Sequence, residues 1–394
     1  MQHGGIGREA TKCRALCGSC LVLALLALSL AGCGDDKATN NAPEPPIPPC
    51  GRLLVLTSDF QTGSVSVVDA DSAFTTRLDV TSIHSDAVAR VHDGLLYVVN
   101  RLGGDNIQVI DPADGFRTVR QFSTGEGSNP HDIAFAASDR AYVSRNGTAS
   151  VLVIDPRDGS ARGEISLAAF ADGDGNPDMD RLLYMDPYLY VAIQRIDFGG
   201  ATYKPIPPSY LAVVDTRADT LVDMDSAIAG VQGIVLQGLN PSAPMVADPL
   251  GLVIYVPESG EYGVLDGGIE MVDPATGRST GFLTREADLG GDLLDFAIPE
   301  NGPGYATISD ASFVTSLVNF DRATGAKIAT VYQSSGFELA DLAVTPCGQL
   351  VVCDRAYAAP GLRVFVAASG LPWTGVAQPI STGLPPFEVL LAGE

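Results

Sequence analysis

Residues 172–180 carry the side chains that a hard cation would need. The segment reads Asp-Gly-Asp-Gly-Asn-Pro-Asp-Met-Asp, so oxygen-bearing side chains occupy every second position. Ca²⁺ prefers about six to eight oxygen ligands, and a turn that contains glycine can fold such side chains around one ion. The segment therefore predicts a Ca²⁺ site formed by Asp172, Asp174, Asn176, Asp178 and Asp180. An ordinary acidic turn is the alternative, because aspartates that bond to their own backbone are common in turns.

This segment resembles the first positions of an EF-hand-type calcium loop, but it departs from that pattern at two places. Pro177 stands where the EF-hand loop has a glycine, and Leu183 stands where it has a bidentate glutamate. No flanking helices are indicated. A bound ion would therefore need further ligands from other parts of the chain.

Arrangements of a nucleophile with a base are weak in this sequence. After residue 32 the histidines are His84, His92 and His131, and neither G-x-S-x-G nor H-E-x-x-H occurs. His131 could act as a base or a metal ligand, or it could be a hydrogen-bonded structural histidine. No C-x-x-C-H phrase occurs, which excludes a covalently bound c-type haem.

A repeat reveals the elements that must position these residues. A Val-Ile-Asp phrase at 109–111 returns at 153–155 and in variant form at 213–215, 271–273 and 319–321, and a Tyr-Val-type phrase precedes most copies. Seven anchor positions that begin at Val55 are spaced 42, 45, 48, 65, 50 and 46 residues apart. Short strands with a period of roughly 40–50 residues are typical of a β-propeller. The sequence predicts an all-β fold of seven blades, each with four strands from A (innermost) to D (outermost).

These phrases resemble the repeats of YVTN-type propellers, in which a Tyr-Val-Thr-Asn-like phrase is followed by a Val-Ile-Asp phrase. The resemblance covers almost all of residues 51–394 and implies a seven-bladed β-propeller domain there. It leaves the activity open, because propellers serve as binding modules, lactonases and dehydrogenases.

Both ends of the chain are expected to build the first blade. The domain begins at strand B, and residues 385–391 resemble the innermost strand that follows Pro130 elsewhere, so the C-terminal strand should complete the first blade and close the ring. Cys50 and Cys347 occupy identical Pro-Cys-Gly phrases in the neighbouring first and seventh blades. We expect these two cysteines to form a disulfide, and Cys353 to be a buried free thiol.

Most of the extra loop length falls on one rim of the predicted ring, which carries the B–C loops and the D-to-A connections. We call it the long-loop rim. Loops this long are commonly functional, although neutral drift is the alternative. The long loops over blades three to five supply the residues predicted to bind a partner: Arg195, Asp197, Tyr203, Lys204, Tyr210 and Tyr262.

Acidic residues recur at the start of strand A, where the central channel opens. Four of them lie ten residues before their strand-B anchor. The predicted acidic ring consists of Asp86, Asp132, Asp180, Asp295, Asp341 and Glu388. Such a ring could hold a cation or a cluster of water molecules. Alternatively, each carboxylate accepts hydrogen bonds within its own turn.

The N-terminus has the features of a targeting segment. Residues 1–32 combine basic residues with an apolar run and end before Cys33 in Leu-Ala-Gly-Cys, which resembles the bacterial lipobox. The resemblance implies a lipoprotein signal peptide at 1–32 and acylation of Cys33. Residues 33–50 are a Pro-rich tether. Because Gly34 follows the cysteine, the resemblance favours the outer membrane.

A formal net charge of −23 opposes binding of nucleic acid and of anionic membrane surfaces by the folded body. The leading interpretation is an envelope-anchored, non-catalytic module that binds a protein partner or ligand through the long-loop rim. One alternative is a periplasmic hydrolase, similar to a lactonase, with a carboxylate-held metal near the channel. Another is a scaffold for an envelope assembly.

Overall fold

The structure is a computed structural model that describes residues 50–71, 73–200 and 203–392. These residues form one compact unit. The predicted signal peptide, Cys33 and all of the tether before Cys50 lie outside the described residues. No helix in the described part of the chain is long and apolar enough to cross a membrane.

The described chain folds into seven antiparallel blades, which confirms the predicted seven-bladed β-propeller. The strands of the first three blades are β1 (Arg52–Ser58), β2 (Gly63–Asp69) and β3 (Thr76–Ile83); β4 (Ala87–His92), β5 (Leu95–Asn100), β6 (Asn106–Asp111) and β7 (Arg117–Ser123); and β8 (Pro130–Ala137), β9 (Arg140–Arg145), β10 (Ser150–Ile154) and β11 (Ala161–Ser166).

The fourth blade is less regular than the first three because a long loop interrupts it. Its strands are β12 (Met179–Met185), β13 (Tyr188–Ile193), β16 (Tyr210–Asp215), β17 (Thr220–Leu221) and β18 (Ile234–Val235). A separate two-stranded ribbon stands in its B–C loop, made of β14 (Ile196–Asp197) and β15 (Lys204–Pro205).

The last three blades contain the only α-helix of the described residues, α1 (Glu286–Leu289). Their strands are β19 (Val246–Ala247), β20 (Ile254–Glu258), β21 (Gly268–Asp273) and β22 (Arg278–Arg285); β23 (Asp292–Ala297), β24 (Gly304–Ser309), β25 (Thr315–Phe320) and β26 (Lys327–Gln333); and β27 (Leu339–Val344), β28 (Gln349–Asp354) and β29 (Gly361–Val366). The final strand is β30 (Pro386–Ala392).

The seventh blade has three strands instead of the predicted four. Two isolated bridges, Leu362 to Ile380 and Phe365 to Pro372, take the place of its strand D. The segment that would form strand D contains Pro372 and Pro379, and proline cannot donate a ladder hydrogen bond. An outer strand therefore does not form there.

The C-terminal strand closes the ring, as the sequence predicts. β30 pairs antiparallel with β1, with Leu53 opposite Leu391 and Val55 opposite Val389. β30 also contacts the innermost strands β27 and β4 of the neighbouring blades. The disulfide predicted between the first and seventh blades is present, and the Cα atoms of Cys50 and Cys347 lie 4.9 Å apart. Cys353 is a buried free thiol.

The core lies between the blades rather than inside any one of them. Both faces of each blade pack against a neighbour, so the inner strands are apolar without alternation, and residues 53–56 are all fully buried. One such layer packs Leu54 and Leu56 of the first blade against Leu96 and Val98 of the second. Each buried side chain of this size contributes about 1.5–3 kcal/mol.

The repeated Asp-Pro-x-x-Gly phrases form the C–D turns. Asp111 Oδ1 accepts hydrogen bonds from the backbone N–H groups of Ala113 and Asp114, at 2.8 and 3.3 Å. Gly115 closes this turn with a φ of 64°, a left-handed conformation that glycine adopts without strain. Asp321 repeats the same contacts with Ala323 and Thr324.

Candidate functional site

Four carboxylates link the innermost strands around the channel. Each accepts a hydrogen bond from a backbone N–H of the next blade. The donors are Leu182 to Asp132 at 3.0 Å, Leu342 to Asp295 at 3.1 Å, Val389 to Asp341 at 2.6 Å and Ala89 to Glu388 at 2.9 Å. These side chains hold adjacent blades together. The sequence predicts either a ring that holds a cation or water, or carboxylates bonded within their own turns, and neither prediction includes contacts between blades.

The other two members of the predicted ring, Asp86 and Asp180, do not join these four. In the third, sixth and seventh blades the strand-B anchor pairs with a residue eight positions before it, for example Ala134 with Tyr142. In the fourth blade the separation is seven, because Leu183 pairs with Tyr190. Counting ten residues back from Tyr190 therefore reaches Asp180. The place in the fourth blade that is equivalent to Asp132 in the third blade is occupied by Arg181 instead.

Arg90 neutralises part of the channel lining. Its guanidinium lies 2.9 Å from Asp132 Oδ2 and 3.2 Å from Glu388 Oε1. Burial raises the pKa of Glu388 to about 7, although Arg90 opposes the shift. Burial, followed by the negative charge of Asp295, raises the pKa of Asp341 well above its usual range. This part of the channel therefore combines an ion pair with carboxyl groups whose pKa values are raised.

One side of the channel mouth, over blades two to four, is polar and internally paired. His131 Nδ1 lies 2.9 Å from Asp180 Oδ1, and Gln194 Nε2 donates to Asp180 Oδ2 at 3.2 Å. Burial alone would raise the pKa of Asp180, but nearby Arg181 and His131 lower it overall. Arg101 Nε donates to Asp86 at 2.9 Å. We call this region the polar side.

The other side of the channel mouth, over blades six, seven and one, is a cavity of about 750 Å³. It opens where β23, β27 and β30 begin. We call it the aromatic pocket, and it is lined by Ser58, Asp59, Phe60, Leu294, Phe337, Leu339, Ala340, Arg355, Tyr357, Pro360 and Pro385. The Arg355 guanidinium lies 4.4 Å from the centre of the Phe60 ring.

Exposed aromatic side chains of the described residues are confined to the long-loop rim. They lie in B–C loops or D-to-A connections of blades one, four, five, six and seven: Phe60, Phe198, Tyr203, Tyr262, Phe313, Phe337 and Tyr357. Of the exposed leucines, Leu252 and Leu371 lie on the opposite rim, whereas Leu102 and Leu265 lie on the long-loop rim. The two rims therefore differ in chemistry as well as in loop length.

The predicted rim residues connect three blades. Lys204 Nζ lies 2.6 Å from Glu261 Oε1, which joins the B–C loops of blades four and five. The Tyr262 ring stacks on Phe313 of blade six at 5.4 Å, and its hydroxyl lies 2.6 Å from Ser309 Oγ.

The remaining predicted rim residues support the fourth-blade loop internally. The exposed Tyr203 ring packs edge-on against Phe198 at 5.1 Å. Arg195 donates to the Pro208 carbonyl at 3.1 Å, and its guanidinium lies 5.9 Å from the centre of the Tyr210 ring. Asp197 accepts a hydrogen bond from the Gly199 N–H at 2.8 Å.

The predicted calcium loop is a folded acidic turn. Asp172 Oδ1 accepts from the Asp174 N–H at 3.1 Å, and Asp174 Oδ1 accepts from the Asn176 N–H at 2.8 Å. Asp178 is buried, accepts from the Ile196 N–H at 2.7 Å, and has its pKa raised to about 6 by burial. Asp180 belongs to the polar side instead.

Two oxygens of this loop, Asp172 Oδ2 and Asn176 Oδ1, are buried and have no hydrogen-bond partner in the part of the chain that the structure describes. Within the described residues, however, no group of three or more histidine, cysteine, aspartate or glutamate side chains could hold a metal ion. Calcium binding at this loop stays a prediction.

A buried acidic pair in the fifth blade was not predicted. Glu258 and Glu270 are fully buried, and within the described residues neither carboxylate oxygen of Glu258 has a hydrogen-bond donor. Glu270 accepts from the N–H groups of Gln237 and Gly238, at 2.9 and 3.1 Å. Burial, followed by the charge of Glu270, raises the pKa of Glu258 well above its usual range. The available signal was a glutamate in each of two paired, largely apolar strands, Glu258 at the end of β20 and Glu270 within β21.

The chain resembles solved β-propellers in structure. A Bacteroides uniformis protein proposed to be a 6-phosphogluconolactonase has a TM-score of 0.59 at 14% identity, over 86% of this chain and 98% of its own. The periplasmic gluconolactonase of Pseudomonas aeruginosa has a TM-score of 0.59 at 16% identity, over 87% and 99%. Hydrazine synthase of Kuenenia stuttgartiensis has a TM-score of 0.52 at 14% identity, over 80% and 95%.

At these identities the similarity shows the fold alone. No protein-family model matches the chain, and no curated protein matches it in sequence.

Proposed function

We propose that this chain is a non-catalytic binding module that captures its ligand on the long-loop rim. The observation that carries the proposal is the confinement of exposed aromatic side chains to that rim. Exposed aromatic residues supply large contact areas with little loss of side-chain freedom, and they are enriched at recognition surfaces. The aromatic pocket gives this surface a concave site within the usual size of ligand cavities, roughly 300–1,000 Å³.

The test compares two triple variants of the full-length chain. In the rim variant, Phe60, Phe337 and Tyr357 become serine; in the control, the exposed Leu252, Ile328 and Leu371, away from that rim, become serine. Each immobilised protein is incubated with an envelope extract of the native host, and the retained molecules are identified by mass spectrometry. We expect a ligand retained by the wild type and the control to be lost from the rim variant. Equal retention by all three proteins would refute the proposal.

A second candidate function, lactone hydrolysis, is supported by the His131–Asp180 contact. A histidine held by a buried carboxylate can act as a general base toward water, and Nδ1 to Oδ1 is 2.9 Å here. Beside this dyad, Arg181 has two buried nitrogens that find no hydrogen-bond partner among the described residues, and it could stabilise a developing oxyanion. Two of the structural neighbours bear lactonase names.

Hydrolysis of a panel of sugar and aliphatic lactones, followed by pH-stat titration, tests this candidate. Under the lactonase hypothesis, wild type and His92→Gln turn over a lactone and His131→Gln does not. His92 is the matched control because its ring stacks on Phe135 between the second and third blades, away from the His131–Asp180 dyad. Absence of turnover by the wild type, or equal turnover by His131→Gln, removes this candidate.

We also propose that the chain is a YVTN-type lipoprotein anchored in the outer membrane through acylated Cys33. The support is the Leu-Ala-Gly-Cys phrase after an apolar run. More than one acyl chain gives stable anchoring, at about 0.8 kcal/mol per buried methylene. Cys33→Ser is expected to move the protein from the membrane fraction to the soluble fraction with an unchanged melting temperature. Persistence in the membrane fraction would contradict the anchor.

A further inference from the structure

Arg355 is a partly buried cation in the wall of the aromatic pocket, and it makes no ion pair within the described residues. Its Nη2 donates to the Ser58 carbonyl at 3.3 Å, and its guanidinium lies over the Phe60 ring. Both contacts replace the hydrogen bonds that water would make with the guanidinium only weakly. Desolvation lowers the pKa of Arg355. Removing a guanidinium from water without a carboxylate partner is costly, so proteins rarely leave one in that state.

The nearby carboxylates are all engaged elsewhere. Asp354 Oδ2 accepts from Arg363 Nε at 2.5 Å. Glu338, whose carbonyl accepts the Arg355 N–H, directs its carboxylate to the N–H of Ser335 at 2.9 Å. Asp59 Oδ1 accepts from the N–H groups of its own turn, at 2.6 Å from Thr62. The positive charge of Arg355 is therefore left for something that enters the pocket.

The rest of the wall sets the shape of the occupant. Phe60, Phe337 and Tyr357 surround the opening, and Leu294 and Ala340 lie where the innermost strands begin. Most of this wall is apolar, so it offers few hydrogen bonds for a sugar or a peptide backbone. The cavity of about 750 Å³ matches a small molecule rather than a single ion.

We propose that the aromatic pocket binds a small molecule with an apolar, preferably flat, body and one planar anionic group that pairs with Arg355. A guanidinium presents its N–H groups in a fork that matches a carboxylate, and such charge-assisted pairs are about twice as strong as neutral hydrogen bonds. The overall charge of −23 disfavours random capture of anions, so this local cation confers selectivity. This inference rests on the proposed binding function of the long-loop rim and names its ligand class.

The probe is 2-naphthoate, with 2-naphthalenemethanol as the neutral analogue and a naphthylmethyl-trimethylammonium salt as the cationic one. Titration calorimetry on the full-length chain is expected to show 2-naphthoate binding at least about tenfold more tightly than either analogue. Arg355→Gln should weaken 2-naphthoate binding by about tenfold or more and leave the neutral analogue unchanged. Arg355→Lys keeps the positive charge but lacks the forked N–H groups, so its affinity for 2-naphthoate should lie between those of the wild type and Arg355→Gln. Arg278→Gln, an exposed arginine in β22, is the matched control and should bind as wild type.

Melting temperatures of all variants check that each is folded, and the Lys variant keeps the test decisive if the Gln variant is not. Equal affinity for 2-naphthoate and the neutral analogue, or no effect of either Arg355 substitution, would overturn the proposal. Tightest binding of the cation would also overturn it, because the rings would then form an aromatic cage. If 2-naphthoate fails to bind but the rim variant still loses the captured ligand, the ligand class is wrong and the proposed function stands. If neither effect is seen, both fail.

Discussion

The two sides of the channel mouth solve the problem of buried charge in different ways. On the polar side Asp180 has His131 and Gln194 as partners, and Asp86 has Arg101. Arg181 lies 3.7 Å from Asp180 Oδ1, although two of its buried nitrogens have no hydrogen-bond partner within the described residues. On the aromatic side Arg355 contacts a ring and a carbonyl but no carboxylate of the described residues. A group satisfied within the fold supports the fold, whereas an unsatisfied one is available to a ligand. The difference favours the aromatic side as the binding site.

The buried carboxylates differ in the same way across the ring. Asp132, on the side of blade three, pairs with Arg90. Asp295 and Asp341, beside the aromatic pocket, rely on backbone N–H donors, and burial raises the pKa of each. The blades under the aromatic pocket are therefore held partly by carboxyl groups whose pKa values burial raises, and those under the polar side by an ion pair.

Removal of residues 386–394 should cause the largest loss of stability. The deleted strand β30 lies between the two sides of the channel mouth and contacts β27 on one side and β4 on the other. The truncation deletes the buried Val389 and Glu388 and leaves β1 with an open edge. Buried side chains at about 1.5–3 kcal/mol each rival the stability of a whole domain. We expect no cooperative thermal transition by circular dichroism, whereas Glu388→Gln, which keeps the strand, should still melt cooperatively. A truncated protein that melts like wild type would contradict ring closure by β30.

Replacement of Arg90 should break the buried ion pairs of the channel lining. Arg90→Met leaves Asp132 and Glu388 without their shared cation, and loss of one partner from a buried ion pair costs about 3 kcal/mol. Arg52→Met is the matched control, because the Arg52–Asp69 pair is exposed and such pairs contribute about 0–1 kcal/mol. Urea denaturation measures the free energy of unfolding of both variants. Equal losses in the two variants would mean that Arg90 is as dispensable as a surface charge.

The sequence carries the architecture because each blade repeats the same phrases. Apolar runs such as 53–56, the Asp-Pro-x-x-Gly turns and the paired Pro-Cys-Gly phrases each reflect a local requirement that recurs with the blade. Blade number, ring closure and the Cys50–Cys347 disulfide were therefore predictable. Membership of the acidic ring was only partly predictable, since a one-residue change in a turn puts Arg181 where the spacing gives Asp180.

The aromatic pocket leaves almost no trace in the sequence. Phe60, Phe337 and Tyr357 are single aromatic residues in ordinary loops, and they come together only because the ring places the first blade beside the seventh. Loop length pointed to blades three to five, where the loops hold one another through Lys204–Glu261 and Tyr262–Phe313 contacts. Long loops can thus be self-supporting, while the concave site forms from short ones.

Protonated acids near the aromatic side should make the protein lose stability as pH rises. Glu388 has a folded-state pKa of about 7, above its ordinary value near 4.5, so the folded state holds a proton that the unfolded state releases. Its contribution is fully present below about pH 4.5 and is lost as pH rises through 7, at about 1.4 kcal/mol per pH unit. Between pH 5 and 7, wild type should therefore lose stability more steeply than Glu388→Gln by about that slope.

Other acids with raised pKa values, such as Glu286 at about 8, act in the same direction. The comparison with Glu388→Gln isolates one proton because the other acids are common to both proteins. Glu164→Gln, which alters an exposed acid whose pKa is lowered, should keep the wild-type slope. Chemical denaturation at three pH values measures all slopes. Parallel lines for wild type and Glu388→Gln would mean that Glu388 is ionised in the fold.

The smallest effect on stability is expected from Tyr357→Ala, and it sharpens the comparison because binding should change while the fold does not. The Tyr357 side chain is 101% exposed, and exposed substitutions usually alter the free energy of unfolding by less than about 0.5 kcal/mol. Leu252→Ala, which is 64% exposed on the other rim, should be equally mild. Of these two variants, only Tyr357→Ala should weaken binding of 2-naphthoate, because Tyr357 borders the pocket and Leu252 does not. A stability loss above about 1 kcal/mol for Tyr357→Ala would show that the ring is packed, and the aromatic side would then be structural in the same sense as the polar side.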